Sequence, residues 1–194
     1  MKNCIHKDKN IRRIITIFVV EKISKPRTMT RIIAAFDSFK GSLTSREAGE
    51  AFRRGFMTER PDAEVEVLAI ADGGEGMAEA IAEGVGGEMV SVVVSDPLGR
   101  KIEARYALIN GGATAVIAMS SASGLTLLKP EERNPLIAST FGTGELIVDA
   151  LERGCREIIM GLGGSATNDC GVGMLRALGY RFYDAAGEEL CDTI

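Results

Sequence analysis

The sequence predicts an α/β protein, because short apolar runs alternate with amphipathic segments from residue 31 onward. Four polar, glycine-containing loops each follow one of these runs, at residues 37–42, 71–76, 120–124 and 161–171. The 194 residues are enough for one large or two small domains, and 45% hydrophobic with 26% charged residues excludes a wholly disordered protein. We therefore expect a folded core with ligand-binding loops at the strand ends.

The first predicted unit runs from a strand through a loop into a helix. Residues 31–36 form a short apolar run, as in a strand of a buried parallel sheet. Thr44 followed three residues later by Glu47 is a capping-box pattern, which predicts that a helix begins there. The next unit repeats this order, with a strand at 65–70, a loop and a short helix at 77–83.

The middle of the chain favours antiparallel pairing. Three consecutive strands are predicted at 89–95, 101–109 and 114–120, and turn sequences at 96–99 and 110–112 separate them. An antiparallel meander is therefore expected inside the α/β chain. The last predicted elements are a helix at 144–153, a strand at 156–161, a helix at 171–178 and a strand at 180–184.

Charge and cysteine usage exclude several classes of protein. The net charge is −4, and an acidic chain lacks the basic face that nucleic-acid binding needs. The four cysteines, at positions 4, 155, 170 and 191, form no C-x-x-C pair, so we expect free thiols in a reducing compartment. No run reaches the ~20 apolar residues of a membrane-spanning helix. We expect a cytoplasmic protein that binds neither nucleic acid nor membranes.

Residues 1–28 differ from the rest of the chain. They carry eight Lys or Arg against two Asp or Glu, whereas the remaining residues carry 15 against 25. The apolar run Ile14–Val20 is too short to span a membrane, and Glu21 and Lys22 follow it where a secretory signal has small residues. We expect residues 1–28 to be an extension outside the fold, with Met29 as the natural start. If the run is folded, it would add an edge strand.

The four loops carry the residue types that phosphoryl transfer needs. In open α/β sheets, ligands bind at the carboxyl ends of the strands, where successive backbone N–H groups hold anionic oxygens. Lysine binds phosphates, carboxylates coordinate a divalent ion, and polar loops orient a hydroxyl. The candidate side chains are Asp37, Ser38 and Lys40 in the first loop, Asp72 and Glu75 in the second, and Ser165, Thr167, Asn168 and Asp169 in the last.

Each candidate also has a purely structural interpretation. Lys40 belongs to a mostly solvated residue type, Asp37 to a type that caps turns, and Asn168-Asp169 is a common helix-cap pattern. Asp72 before two glycines is compatible with a hairpin turn. The chain contains neither a G-x-x-x-x-G-K-[ST] phosphate loop nor a G-x-G-x-x-G fingerprint after a strand, so a nucleotide would have to bind in another way.

Longer segments make a family resemblance specific. They are 33–43 (IAAFDSFKGSL), 71–76 (ADGGEG), 121–125 (SASGL), 133–136 (RNPL), 142–145 (GTGE) and 161–169 (GLGGSATND). In these segments and their order the sequence resembles the bacterial glycerate kinase family, which phosphorylates D-glycerate with ATP, generally to 2-phosphoglycerate. Three positions depart from the family pattern, among them Cys170, where the family has a glycine.

The resemblance implies a flavodoxin-like parallel-sheet domain with a second, inserted α/β domain of restriction-enzyme-like fold. It assigns residues 29–75 to the start of the flavodoxin-like domain and 76–194 to the inserted domain. The match covers only the N-terminal half of the family, so the inserted domain is expected to be incomplete at its C-terminus. The absent half is expected to leave apolar surface uncovered, because several strands have the pattern of strands that are buried on both faces. The implied substrates are glycerate and ATP, with Mg²⁺, in organic acid phosphorylation.

Residue type and loop position suggest individual roles. We expect Lys40 to bind a phosphate or carboxylate, and Asp72 and Asp169 to coordinate Mg²⁺ or orient the attacking hydroxyl. A fragment that binds ligand without catalysis stays open, as does an oxidoreductase, which the missing dinucleotide fingerprint disfavours. A homo-oligomer also stays open. The expected substrate- and phosphate-binding residues are Asp37, Ser38, Gly73, Gly74, Glu75, Gly163, Gly164, Ser165 and Asn168.

Overall fold

A computed structural model describes residues 31–39 and 42–190, which form a mixed α/β structure with two sheets. The apolar run at 14–20 and Lys40 lie outside the described residues. Among the described residues, no helix is long and apolar enough to cross a membrane. The elements are β1 (Arg31–Phe36), α1 (Ser45–Glu59), β2 (Glu64–Ala69), α2 (Met77–Val85), β3 (Glu88–Ser95), β4 (Lys101–Ile109), β5 (Thr114–Ala118), α3 (Ser120–Ser123), α4 (Phe141–Glu152), β6 (Glu157–Gly161) and α5 (Val172–Ala177).

The first sheet consists of β1 and β2, which pair in parallel. Helix α1 connects them and begins at the predicted capping box: the Glu47 N–H donates to Thr44 Oγ1, and the Thr44 N–H donates to Glu47 Oε2 over 2.8 Å. These bonds satisfy two backbone groups that a helix start leaves unpaired. Phe52 and Phe56 on α1 pack against the buried side of this sheet.

The other side of this two-stranded sheet carries exposed apolar side chains. Ile33 is 49% exposed and Leu68 42% exposed, although both lie in strands. Side chains alternate between the two faces of a strand, and among the described residues α1 packs on the opposite face.

The second sheet has the order β3-β4-β5-β6 and holds the main core. The first three strands form the predicted antiparallel meander, and β6 joins β5 in parallel. Between β3 and β4, the buried Asp96 carboxylate accepts the N–H groups of Leu98 and Arg100 over 2.8 and 2.9 Å. This bonding closes the predicted turn, because an aspartate that accepts N–H groups of nearby residues holds the chain in a turn.

Two strand predictions need correction. The strand predicted at 114–120 ends at Ala118, because the chain turns at Met119 into the short helix α3. The strand predicted at 180–184 does not form: only an isolated bridge joins Tyr183 to Glu189. Both tyrosines of that segment are more than half exposed, so an apolar pattern there has no sheet to pack against.

Candidate functional site

The polar loops converge at the carboxyl ends of parallel strands. In the first sheet, β1 leads into 37–39 and β2 leads into the Asp72 loop, and the last residues of these strands are partners. In the second sheet, β5 and β6 end side by side and lead into α3 and the loop at 162–169. Strands that run in one direction end at one edge, so each sheet gathers two of the four predicted loops.

Two glycine-rich loops, 71–76 and 161–164, lie in direct backbone contact. The Gly163 N–H donates to the Gly73 carbonyl oxygen over 2.9 Å. A Cβ added to Gly163 would lie 2.9 Å from both the N and the Cα of Gly74. Real Cβ atoms essentially never come within 3.0 Å of such atoms. The absence of side chains at these positions is therefore what allows the loops to meet.

The segment 120–125 supports the second of these loops from another side. The Leu125 N–H donates to the Gly164 carbonyl and the Ala166 N–H to the Ser123 carbonyl, each over 2.9 Å. Ser165 also pairs with Gly124 in an antiparallel bridge. Three segments that are far apart in the sequence thus form one surface of backbone groups, which is the kind of surface that binds anionic oxygens.

The acidic side chains of the first two loops are exposed and bind their own turns. Asp37 Oδ1 accepts the Ser38 N–H over 2.7 Å, and Asp72 Oδ1 accepts the Gly74 N–H over 3.2 Å. Glu75 is also exposed. Local turn capping is thus present at Asp72, whereas Asp37, among the described residues, bonds only to the N–H of the next residue. The remaining carboxylate oxygens leave room for a ligand, since a carboxylate accepts about four hydrogen bonds.

Asp169 is held very differently. Its Oδ2 accepts the Thr140 N–H and the Thr140 hydroxyl, each over 2.8 Å, and the Gly173 N–H over 3.1 Å. Its Oδ1 accepts the Gly171 N–H over 3.1 Å. Within residues 31–39 and 42–190, no three acidic, histidine or cysteine side chains are grouped to hold a metal ion.

Two contributions to this region were missed by sequence reasoning. Thr140 is 2% exposed and lies 29 residues before its aspartate partner, so no local spacing indicates the contact. Arg176, with Ser139 and Phe141, lines a cleft beside Asp169. A threonine just before a helix start was the one available signal, because threonine is a common cap residue.

Glu145, in the 142–145 segment, joins α4 to the second sheet. Its carboxylate accepts the Ser95 N–H and a bond from Lys101 Nζ, the latter over 2.7 Å. Burial raises the pKa of Glu145, but the bonds from Lys101 and Ser95 lower it more, so that pKa lies below its ordinary value of 4.5. The side chain thus has a structural role in the described chain.

The fold and the loop surface define an α/β protein that presents a glycine-rich backbone surface at its strand ends. Sequence comparison identifies the group within that class: the glycerate kinase family model matches residues 32–194, and the chain belongs to this family. A Bacillus subtilis (strain 168) protein named glycerate kinase is 48% identical over 160 residues, which are 82% of this chain and 42% of that protein.

Other relatives agree. A protein of Escherichia coli (strain K12) named glycerate 2-kinase is 46% identical over 160 residues, covering 82% of this chain and 42% of its own. A crystal structure of a candidate glycerate kinase 2 from Salmonella typhimurium LT2 superposes with a TM-score of 0.69 at 44% identity. It covers 86% of this chain and 44% of that one. The chain thus spans less than half the length of these relatives.

Proposed function

We propose that this chain contributes to the ATP-dependent phosphorylation of D-glycerate to 2-phosphoglycerate in the cytoplasm. The observation that carries the proposal is the contact between the glycine-rich loops 71–76 and 161–164 at the strand ends. Family membership supports the same activity. In the domain arrangement we propose, residues 29–75 begin a flavodoxin-like domain and residues 76–194 belong to an inserted, restriction-enzyme-like domain. Residues 1–28 would be an extension that belongs to neither domain.

The reaction we propose is an in-line displacement. A glycerate hydroxyl oxygen attacks the γ-phosphorus of ATP, the new O–P bond forms as the bond to the β-phosphate oxygen breaks, ADP leaves, and the hydroxyl proton is released to solvent. Because phosphoryl transfer depends mainly on positioning and charge neutralisation, the chain needs N–H donors and cations more than a strong base. The backbone N–H groups of Gly73, Gly164 and Ser165 would hold phosphate oxygens. Those of Gly74 and Gly163 already donate to Asp72 Oδ1 and to the Gly73 carbonyl, and so hold the loops in position.

The side chains would bind the second substrate and the ion. Glycerate would be oriented by four side chains, those of Asp37, Ser38, Lys40 and Asn168. Lys40 would neutralise a carboxylate or phosphate. Asp72, which is exposed and keeps free acceptor positions, would hold Mg²⁺ together with the phosphates, since Mg²⁺ is often bound through one or two carboxylates and substrate phosphate. When bound, the ion neutralises charge that develops on the phosphate oxygens. Glu75 would lie at the rim of this site.

A pair of glycine substitutions tests the loop surface. Gly163→Ala adds a Cβ against Gly74, whereas Gly55→Ala adds one on α1, where no atom lies within 4 Å. ATP binding to the full chain is measured by calorimetry, and phosphorylation by ADP release with glycerate. We expect Gly163→Ala to weaken ATP binding roughly 10-fold or more, as for a lost charge-assisted hydrogen bond, and Gly55→Ala to bind as the wild type does.

The outcomes separate the candidate functions. Glycerate-dependent ADP release by the wild-type chain supports the kinase, and binding of ATP or glycerate without turnover supports a ligand-binding module instead. Absence of any binding refutes the proposal for this chain. Lys40→Ala should lower affinity for the anionic ligands roughly 10- to 150-fold if Lys40 contacts them, and an unchanged affinity would make it a solvated surface lysine.

A further inference from the structure

The Asp169 carboxylate is held by four hydrogen bonds inside the protein. Oδ2 accepts three of them, from the Thr140 N–H, the Thr140 hydroxyl and the Gly173 N–H, at 2.8 to 3.1 Å, whereas Oδ1 accepts the Gly171 N–H alone, at 3.1 Å. An oxygen offers two lone-pair positions, so a ligand could bind Oδ2 only if one of its donors left. Each donor that left would lose a charge-assisted bond, the strong kind.

Thr140 also bonds to a second helix. The Thr140 hydroxyl donates its proton to Asp169, so the lone pairs of the Thr140 oxygen remain free, and this oxygen accepts the Met174 N–H over 2.9 Å. The side chain is almost completely buried, so water does not compete for either bond. The pair Asp169–Thr140 therefore joins the start of α4 to α5, and the direction of each bond is fixed by the acceptor-only carboxylate.

The close approach of these segments depends on a missing side chain. A Cβ on Gly173 would lie 2.7 Å from the Phe141 N and 2.8 Å from Asp169 Oδ2. A glycine there lets α5 come close enough for its N–H group to reach the carboxylate. The contact is thus built from both helices and does not arise from a local turn alone.

The same contact anchors one end of the loop 161–168. The other backbone bonds that hold this loop lie earlier in it. Gly163 bonds to Gly73, and residues 164–166 bond to residues 123–125. After these, Thr167 bonds only within the loop, to Ser165 Oγ over 3.1 Å, and Asn168 is exposed. Asp169 is the next residue, so its bonds determine where the end of the loop lies.

We propose that Asp169 is a positioning residue that, through Thr140, holds the end of loop 161–168 in place for ligand binding. The ligand part of this inference rests on the proposed function. The positioning part does not, because the loop can be observed without any ligand.

The test uses the full chain and two conservative threonine variants. Thr140→Val removes the hydroxyl and keeps the shape, whereas Thr140→Ser keeps the hydroxyl. Asp169→Asn removes the negative charge, and Thr58→Val on exposed α1 is the control for the loss of a threonine hydroxyl. Amide hydrogen exchange of 163–168 and ATP affinity, with and without Mg²⁺, are measured for each.

We expect Thr140→Val and Asp169→Asn to speed exchange at 163–168 about 10-fold or more, and Thr140→Ser and Thr58→Val to leave it near the wild-type rate. ATP affinity should fall in parallel, by the same factor with and without Mg²⁺. The double variant Asp169→Asn with Thr140→Val should lose no more affinity than the more affected single variant, because both remove one contact.

Two results would overturn the inference. Recovery of ATP affinity by Asp169→Asn at high Mg²⁺ would show a metal ligand. Unchanged exchange at 163–168 in both Thr140→Val and Asp169→Asn would reduce the contact to a helix cap. If the wild-type chain binds no ATP, the proposed function fails, while the exchange measurement still decides whether Asp169 positions the loop.

Discussion

The same substitution, glycine to alanine, should have opposite effects on stability at two positions. Gly161 ends β6, and a Cβ there would come closer than 3.0 Å to the Gly73 carbonyl oxygen and to Met77 Sδ. The backbone of Gly73 cannot move aside as a flexible side chain can. The overpacking in Gly161→Ala should therefore lower the free energy of unfolding by ~1–3 kcal/mol. Gly55 lies inside α1 with open space around it, and alanine there should stabilise by ~0.5–1 kcal/mol, since glycine loses more backbone entropy in a helix.

These free energies become melting temperatures that a routine assay resolves. For a chain of this length, 1 kcal/mol corresponds to roughly 2–4 °C. Gly161→Ala should therefore lower Tm by roughly 2–12 °C, and Gly55→Ala should raise it by roughly 1–4 °C. Thermal unfolding followed by far-ultraviolet circular dichroism measures both variants against the wild type. A Gly161→Ala chain as stable as the wild type would show that loops 71–76 and 161–164 do not approach closely.

Three further predictions concern a helix cap, a strained residue and acid stability. Thr44→Ala should cost ~1 kcal/mol, measured by denaturant unfolding, because it removes the acceptor for Glu47 N–H; an unchanged midpoint would contradict the capping box. Cys170, with φ +51°, adopts a left-handed conformation that disfavours side chains, so Cys170→Gly should raise Tm by about 1–2 °C, whereas Cys170→Ala, which keeps the strain, should not. The bonds that lower the pKa of Glu145 stabilise the fold above its unfolded pKa near 4.5, and this stabilisation is lost as pH falls through the lower folded value. Glu145→Gln should therefore give a flatter stability curve below about pH 4.5 than the wild type, and parallel curves would exclude the effect.

Local patterns identified most of the secondary structure. The apolar runs at β1 and β2, the Thr44 capping box and the turn at 96–99 all depend on neighbours within a few residues, and these predictions were confirmed. The strand predicted at 180–184 was wrong for a related reason. An apolar and aromatic pattern forms a strand only where a partner strand and a packing surface are available, and that availability is not written in the segment itself.

The family resemblance was also recoverable from the sequence, because long segments such as 161–169 keep their order along the chain, and the comparison confirmed it. Cys170 shows how such a segment and the structure explain each other. The resemblance leads us to expect a glycine there, and the positive φ of Cys170 gives a physical reason, since the left-handed region suits a residue without Cβ.

The α/β class, the antiparallel meander, the helix start at Thr44 and the family could be predicted without coordinates, because each depends on residues close together in the chain. The contact of Gly163 with Gly73 and the four donors around Asp169, two of them from Thr140, became visible in the fold alone, because they join distant segments. Whether a carboxylate is free to bind a ligand depends on which N–H and O–H groups packing brings to its oxygens. Because those groups come from segments far apart in the chain, Asp72 and Asp169 look alike in sequence and differ in the folded protein: Asp72 is exposed, whereas Asp169 accepts four hydrogen bonds, three of them on Oδ2.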